Sequence, residues 1–80
     1  MKIQIIQNLV EKTTIEVLKK AEEALVAEEP LPIEVGGDDE GEQLTHIIAA
    51  SWIIKKMETD GIDFKSALKE YTRKVRESIT

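Results

Sequence analysis

The most apolar segment of this 80-residue chain reads Leu44-Thr45-His46-Ile47-Ile48-Ala49-Ala50-Ser51-Trp52-Ile53-Ile54. Successive side chains on a helix are about 100° apart, so the apolar residues of this segment point in nearly every direction. A helix that is apolar all round is buried all round. We therefore expect either that the other helices wrap this one, or that one of its faces meets a second copy of the chain.

Helices are also predicted on both sides of this segment. Pro30 and Pro32 end the preceding helix, because proline lacks an amide donor and biases its predecessor away from helix. The extended segment that follows is expected to cross the bundle and to turn Leu31, Ile33 and Val35 toward it. Gly61 is placed to end the apolar helix. The predicted helices lie near residues 2–11, 14–27, 40–60 and 64–79.

These features predict an all-α fold, a small bundle of three to four helices with one extended Pro-containing crossing segment, in a single domain of residues 1–80. Three helix starts carry capping signals. Thr13 with Glu16, and Asp39 with Glu42, have the spacing of a capping box, and Asp63 is placed to cap the last helix. The apolar stripe of that helix is predicted from its 3.6-residue period. It comprises Phe64, Leu68, Tyr71, Val75 and Ile79.

The size of the chain favours self-association. Hydrophobic residues make up 41% of the sequence, but a core this small rarely supplies more than about 3–5 kcal/mol. The chain has no cysteine for a disulfide. We therefore predict a homodimer. The predicted interface residues lie in the apolar helix and are Ile48, Trp52, Ile53 and Met57.

Charge is distributed unevenly along the chain, whose net charge is −5. Residues 1–43 hold eleven acids and four bases, whereas residues 44–80 hold five acids and seven bases. The acidic half would repel a phosphate backbone, which argues against nucleic acid as the main partner. A basic cluster in the last helix leaves a nucleic-acid-associated regulator as an alternative. It consists of Lys69, Arg73, Lys74 and Arg76.

A second alternative is a divalent-metal or small-ligand site at the start of the apolar helix. Glu42 and His46, the only histidine, are four residues apart and share a helix face, with Asp38 and Asp39 close by in sequence. A carboxylate and an imidazole at this spacing can face one ion, although capping and a local ion pair are the commoner use of such residues. Glu42 is also expected to favour the protonated form of His46.

Catalysis and membrane insertion have little support in the sequence. The serines lie within predicted helices and lack a Gly-x-Ser-x-Gly elbow, and Gly36-Gly37 lacks the Gly-Lys-Ser/Thr of a phosphate-binding loop. The longest mostly apolar run has eleven residues, too few to cross a bilayer. We expect a non-enzymatic protein without a cofactor, in the cytoplasm.

Several stretches of the second half resemble small uncharacterised bacterial proteins of this length. The resemblance covers residues 39–76, and the family has no assigned activity, so it implies no functional residue. It rests on residues 39–46 (Asp-Glu-Gly-Glu-Gln-Leu-Thr-His), 61–64 (Gly-Ile-Asp-Phe) and 67–76 (Ala-Leu-Lys-Glu-Tyr-Thr-Arg-Lys-Val-Arg). The sequence therefore predicts a small helical module for homodimerisation or for binding an unidentified protein partner.

Overall fold

The computed structural model describes the backbone of residues 2–79 and the side chains of residues 2–77. Within that range the secondary structure is helical, with no strand, which confirms the predicted all-α fold. The helix bounds lie within one residue of the predicted ranges. The helices are α1 (Ile3–Lys12), α2 (Ile15–Val26), α3 (Glu40–Asp60) and α4 (Phe64–Ile79).

The apolar helix α3 lies at the centre of the fold. Each of the other three helices packs mainly against it, and no other pair of described helices makes a comparable contact. Ile47, Ala49, Ala50 and Ile53 are fully buried on different sides of α3. The first of the two predicted arrangements, a wrapped central helix, is therefore present within one chain.

The orientation of α4 follows from two specific contacts with α3. The ring of Trp52 lies 5.6 Å from that of Tyr71, and Lys56 lies 3.8 Å from Glu70. The later of the two α3 residues, Lys56, meets the earlier of the two α4 residues, Glu70. Helix α4 therefore runs antiparallel to α3 after the short turn at residues 61–63. The apolar stripe of α4 is buried only in part, because Val75 remains exposed, and the side chain of Ile79 lies outside the described range.

Side-chain caps begin three of the helices. The Asp39 and Asp63 carboxylates each accept a hydrogen bond of 2.8 Å from the backbone N–H three residues later, as predicted. The predicted cap at Thr13 is wrong by one residue. Thr14 caps α2 by accepting from the Val17 N–H, whereas the Thr13 hydroxyl and N–H both donate to the Leu9 carbonyl and end α1. Thr13 therefore ends α1, and the adjacent Thr14 begins α2.

The Pro-containing segment between α2 and α3 is extended and crosses the bundle as predicted. Leu31 and Ile33 are half-buried against the core and Val35 is buried, while the residues between them are exposed. This alternation is the period of an extended chain. The segment ends beside α1, where a Cβ on Gly36 would lie 2.7 Å from the end of the Ile5 side chain.

Candidate functional site

The only imidazole of the chain is completely buried and holds three segments together. His46 Nδ1–H donates to the Gly36 carbonyl at 2.8 Å, and its Nε2 accepts from the Lys2 N–H at 2.9 Å. A backbone amide can only donate and a carbonyl can only accept, so these contacts assign a neutral ring protonated on Nδ1. The expectation that Glu42 would favour a protonated His46 is therefore wrong.

One further hydrogen bond and one ion pair reinforce this arrangement, which we call the His46 clasp (Lys2, Gly36 and His46). The Gln43 side-chain amide donates to the Val35 carbonyl at 3.0 Å, one residue before Gly36. The Lys2 ammonium lies 3.7 Å from an Asp38 carboxylate oxygen, an exposed pair of modest strength. The start of α1, the end of the crossing segment and the first turns of α3 are thus fastened at one point.

The four residues predicted to bind a metal do not form a ligand set. Both His46 ring nitrogens are engaged by backbone groups, Asp39 caps α3, and Asp38 is turned toward Lys2. Across residues 2–77, no three His, Cys, Asp or Glu side chains are grouped closely enough to hold an ion. Sequence spacing placed Glu42 and His46 on one helix face, but it could not reveal that the ring is occupied by partners from elsewhere in the chain.

Glu42 itself has an unusual environment. Its Oε1 atom is buried and has no hydrogen-bond partner among the described protein atoms. The side chain therefore does not return to the amide at the start of α3, so the predicted capping box is formed only on the Asp39 side.

The four predicted interface residues do not share one surface. Ile53 is fully buried within the chain, and removing an isoleucine from the core would cost about 1.5–3 kcal/mol. Trp52 is half-buried against Tyr71, and Met57 lines a small depression with Val10. Ile48, 42% exposed, is the only one that is largely open. Met57 lies nine positions after Ile48, which is about two and a half turns of helix, so the two side chains point in opposite directions.

Trp52 has a charged neighbour as well as an aromatic one. The Lys56 ammonium lies 5.9 Å from the centre of the Trp52 ring and 2.8 Å from Asp60. The hydrogen bond that the Lys56 ammonium donates to Asp60 raises the pKa of Lys56, although desolvation opposes it. The cation is thus held over one side of the ring.

One side of α4 carries two adjacent rows of residues, one mainly apolar and one basic, and Leu68 of the first row is half-buried against the core. Leu68, Thr72 and Val75 follow the i, i+4, i+7 spacing of one helix face, and Lys69, Arg73 and Arg76 follow the same spacing next to it. Five of these six residues line a shallow depression of about 310 Å³. Val75 adjoins it and is 38% exposed. We call these six residues the α4 strip.

Sequence reasoning found the basic residues of this strip and its two apolar residues, but not that Val75 is exposed. The helical period placed Leu68 and Val75 in one apolar stripe, and Leu68 does pack against the core. The structure leaves Val75 exposed, and the main packing partner of α4 is α3. Lys74, the fourth member of the predicted basic cluster, is not among the residues that line the depression.

Comparisons with known proteins complete this description. No helix within the described range has both the length and the apolar character needed to cross a bilayer. No curated protein and no solved structure matches the chain. One family model matches residues 1–80, which agrees with the resemblance to uncharacterised proteins seen in the sequence. The chain therefore belongs to a family of unknown function, DUF6952.

Proposed function

We propose that this protein is a small, non-enzymatic interaction module that binds a protein partner, its own second copy included, through the α4 strip. The observation that carries the proposal is the incomplete cover of α4. The apolar stripe of α4 continues beyond the buried Tyr71 to the exposed Val75, and α3 is the main contact of α4 in the described chain. Apolar side chains with a polar rim are typical of protein–protein contact surfaces.

The chemistry of the remaining residues supports a non-enzymatic role. The single imidazole is the side chain most often used for proton transfer near neutral pH. Here it is fully buried and bonded at both nitrogens to backbone groups, so it serves the fold. We propose the cytoplasm as the compartment, which is consistent with a chain that contains no cysteine.

Light scattering coupled to size-exclusion chromatography tests the self-associating form of this function. The wild-type chain is expected to elute above the 9.0 kDa monomer mass at high micromolar concentration. Val75→Asp should return it to a monomer, because it places a charge in the middle of the contact. Ile48→Asp is the matched control, since its exposure of 42% is close to the 38% of Val75.

Two results would argue against the proposal. A wild-type chain that stays monomeric at high micromolar concentration removes self-association. Loss of association in Ile48→Asp but not in Val75→Asp would move the contact from α4 to α3.

A further inference from the structure

We propose that the α4 strip binds the acidic end of α2 from a second copy of this chain. This inference rests on the proposed function and names the partner for the same surface. It starts from Val26, the most exposed large apolar side chain of residues 2–77, which is 71% exposed in the last turn of α2. Glu22 and Glu23 precede it by four and three residues, so they share its helix face.

The two surfaces are complementary in charge, and each has an apolar part. The α4 strip is an apolar row bordered by Lys69, Arg73 and Arg76, whereas the end of α2 is an apolar residue bordered by carboxylates. The last turn of α2 has no basic residue, and the carbonyl end of a helix carries partial negative charge. Lys19 lies on the face of Val26 two turns earlier, which limits the acidic surface to the last two turns.

The basic residues of the strip are available for such a contact. Within the described residues, Lys69 and Arg76 make no ion pair, and Arg73 reaches only Glu70, at 3.9 Å. A partner that supplies carboxylates can therefore engage them without breaking a strong internal bridge.

The acidic end of α2 does not pair with the α4 strip of its own chain. Both helices pack against α3, and they make no comparable contact with each other. Each chain therefore presents one acidic and one basic surface to the outside. In a twofold dimer the two surfaces pair reciprocally, so each contact occurs twice and the assembly closes.

Charge reversal of the full chain tests this pairing by sedimentation equilibrium. One variant carries Lys69→Glu and Arg73→Glu, and the other carries Glu22→Lys and Glu23→Lys. Each alone should self-associate at least about tenfold more weakly, because exposed pairs of modest strength are replaced by repulsion. An equimolar mixture should regain association, because the reversed surfaces are complementary to each other.

A control variant changes net charge without touching either surface. Lys12→Glu with Lys55→Glu alters the net charge as much as the first variant, at exposed positions on α1 and α3. Its association should match that of the wild type. Circular dichroism of every variant checks that the helices remain folded.

Three outcomes would overturn the inference. In the first, Val75→Asp abolishes association but neither charge reversal changes it, so the proposed function survives and this pairing does not. In the second, the mixture of the two variants remains monomeric. In the third, the wild type is monomeric and binds duplex DNA at low salt through Lys69 and Arg73. The α4 strip would then bind the phosphate backbone of DNA instead of a second copy of the chain.

Discussion

The backbone N–H of Lys2 donates to Nε2 of His46 across 2.9 Å, joining residues 44 positions apart in the sequence. The other ring nitrogen donates to the Gly36 carbonyl. The ring is fully buried, and a buried polar atom without a partner costs about 1–3 kcal/mol, so these two bonds satisfy nitrogens that would otherwise destabilise the fold. The His46 clasp therefore explains why the only histidine lies in the most buried helix.

Replacing His46 by Phe keeps a ring of similar size but removes both hydrogen bonds. We expect the free energy of unfolding in urea to fall by roughly 1–3 kcal/mol, since two hydrogen bonds that join α3 to distant segments are lost. Thr45→Ala is the control, because Thr45 is exposed and its hydroxyl returns to the Gly41 carbonyl of its own helix. Equal losses in the two variants would show that the clasp contributes no stability.

The tautomer of His46 can be observed directly. Long-range ¹H–¹⁵N spectra at neutral pH should show a neutral ring with the proton on Nδ1, because Nε2 accepts from the Lys2 amide. A proton on Nε2 would contradict the assigned hydrogen bonds.

Gly37 is expected to be far less replaceable than its neighbour Gly36. Its φ of 152° is strained for other residues, and a Cβ there would lie 2.9 Å from the Gln43 backbone nitrogen. Gly37→Ala should therefore lower the free energy of unfolding by roughly 1–3 kcal/mol. Gly36→Ala should lose less, because the atom its Cβ meets is the terminal methyl of Ile5, which can rotate away. A larger loss for Gly36→Ala would reverse this ranking.

One substitution at the end of α2 is expected to raise the stability of the protein. Glu28 has a φ of 58°, and the Glu28 and Glu29 amides donate back to the Leu25 and Ala24 carbonyls, the pattern in which glycine is preferred. Glu28→Gly should raise the free energy of unfolding by about 0.5–1 kcal/mol, because it removes the left-handed strain at some cost in chain entropy. Thermal melts of the variants measure this change. In them Glu29→Gly, at a position where φ is not positive, should show no increase in the free energy of unfolding.

Tyr71, the only tyrosine, reports on the α3–α4 contact at high pH. Burial raises the pKa of its phenol above the ordinary value of 10.0. The folded state thus favours the neutral phenol, so its stabilisation is fully present below about pH 10 and is lost as the pH rises through the folded-state pKa. Ultraviolet absorbance should show that the phenol ionises above its ordinary pKa. The free energy of unfolding of Tyr71→Phe should fall less steeply with rising pH than that of the wild type. A phenol that titrates at its ordinary pKa would contradict this contact.

Much of the fold could be read from local signals. Pro30 and Pro32, the caps at Asp39 and Asp63, and the left-handed Gly61 each act within a few residues, so their effect does not depend on the rest of the chain. The cap assigned to Thr13 missed by one position because Thr14, beside it, has the same capping chemistry. Sequence alone could not decide between them.

The candidate site depended on contacts between distant residues. Spacing grouped Asp38, Asp39, Glu42 and His46, but the ring nitrogens are taken by Lys2 and Gly36. Likewise, the helical period placed Val75 in the apolar stripe of α4, although it is 38% exposed in the folded chain. Neither result has a signal in the local pattern.

By itself, the sequence determined where the helices begin and end and that α3 must be surrounded, because caps, prolines and an all-round apolar helix act through local geometry and solvent exclusion. The tertiary structure decided what His46 binds and which part of α4 stays open. Those outcomes depend on which backbone groups and helices arrive next to these residues when the chain closes around α3.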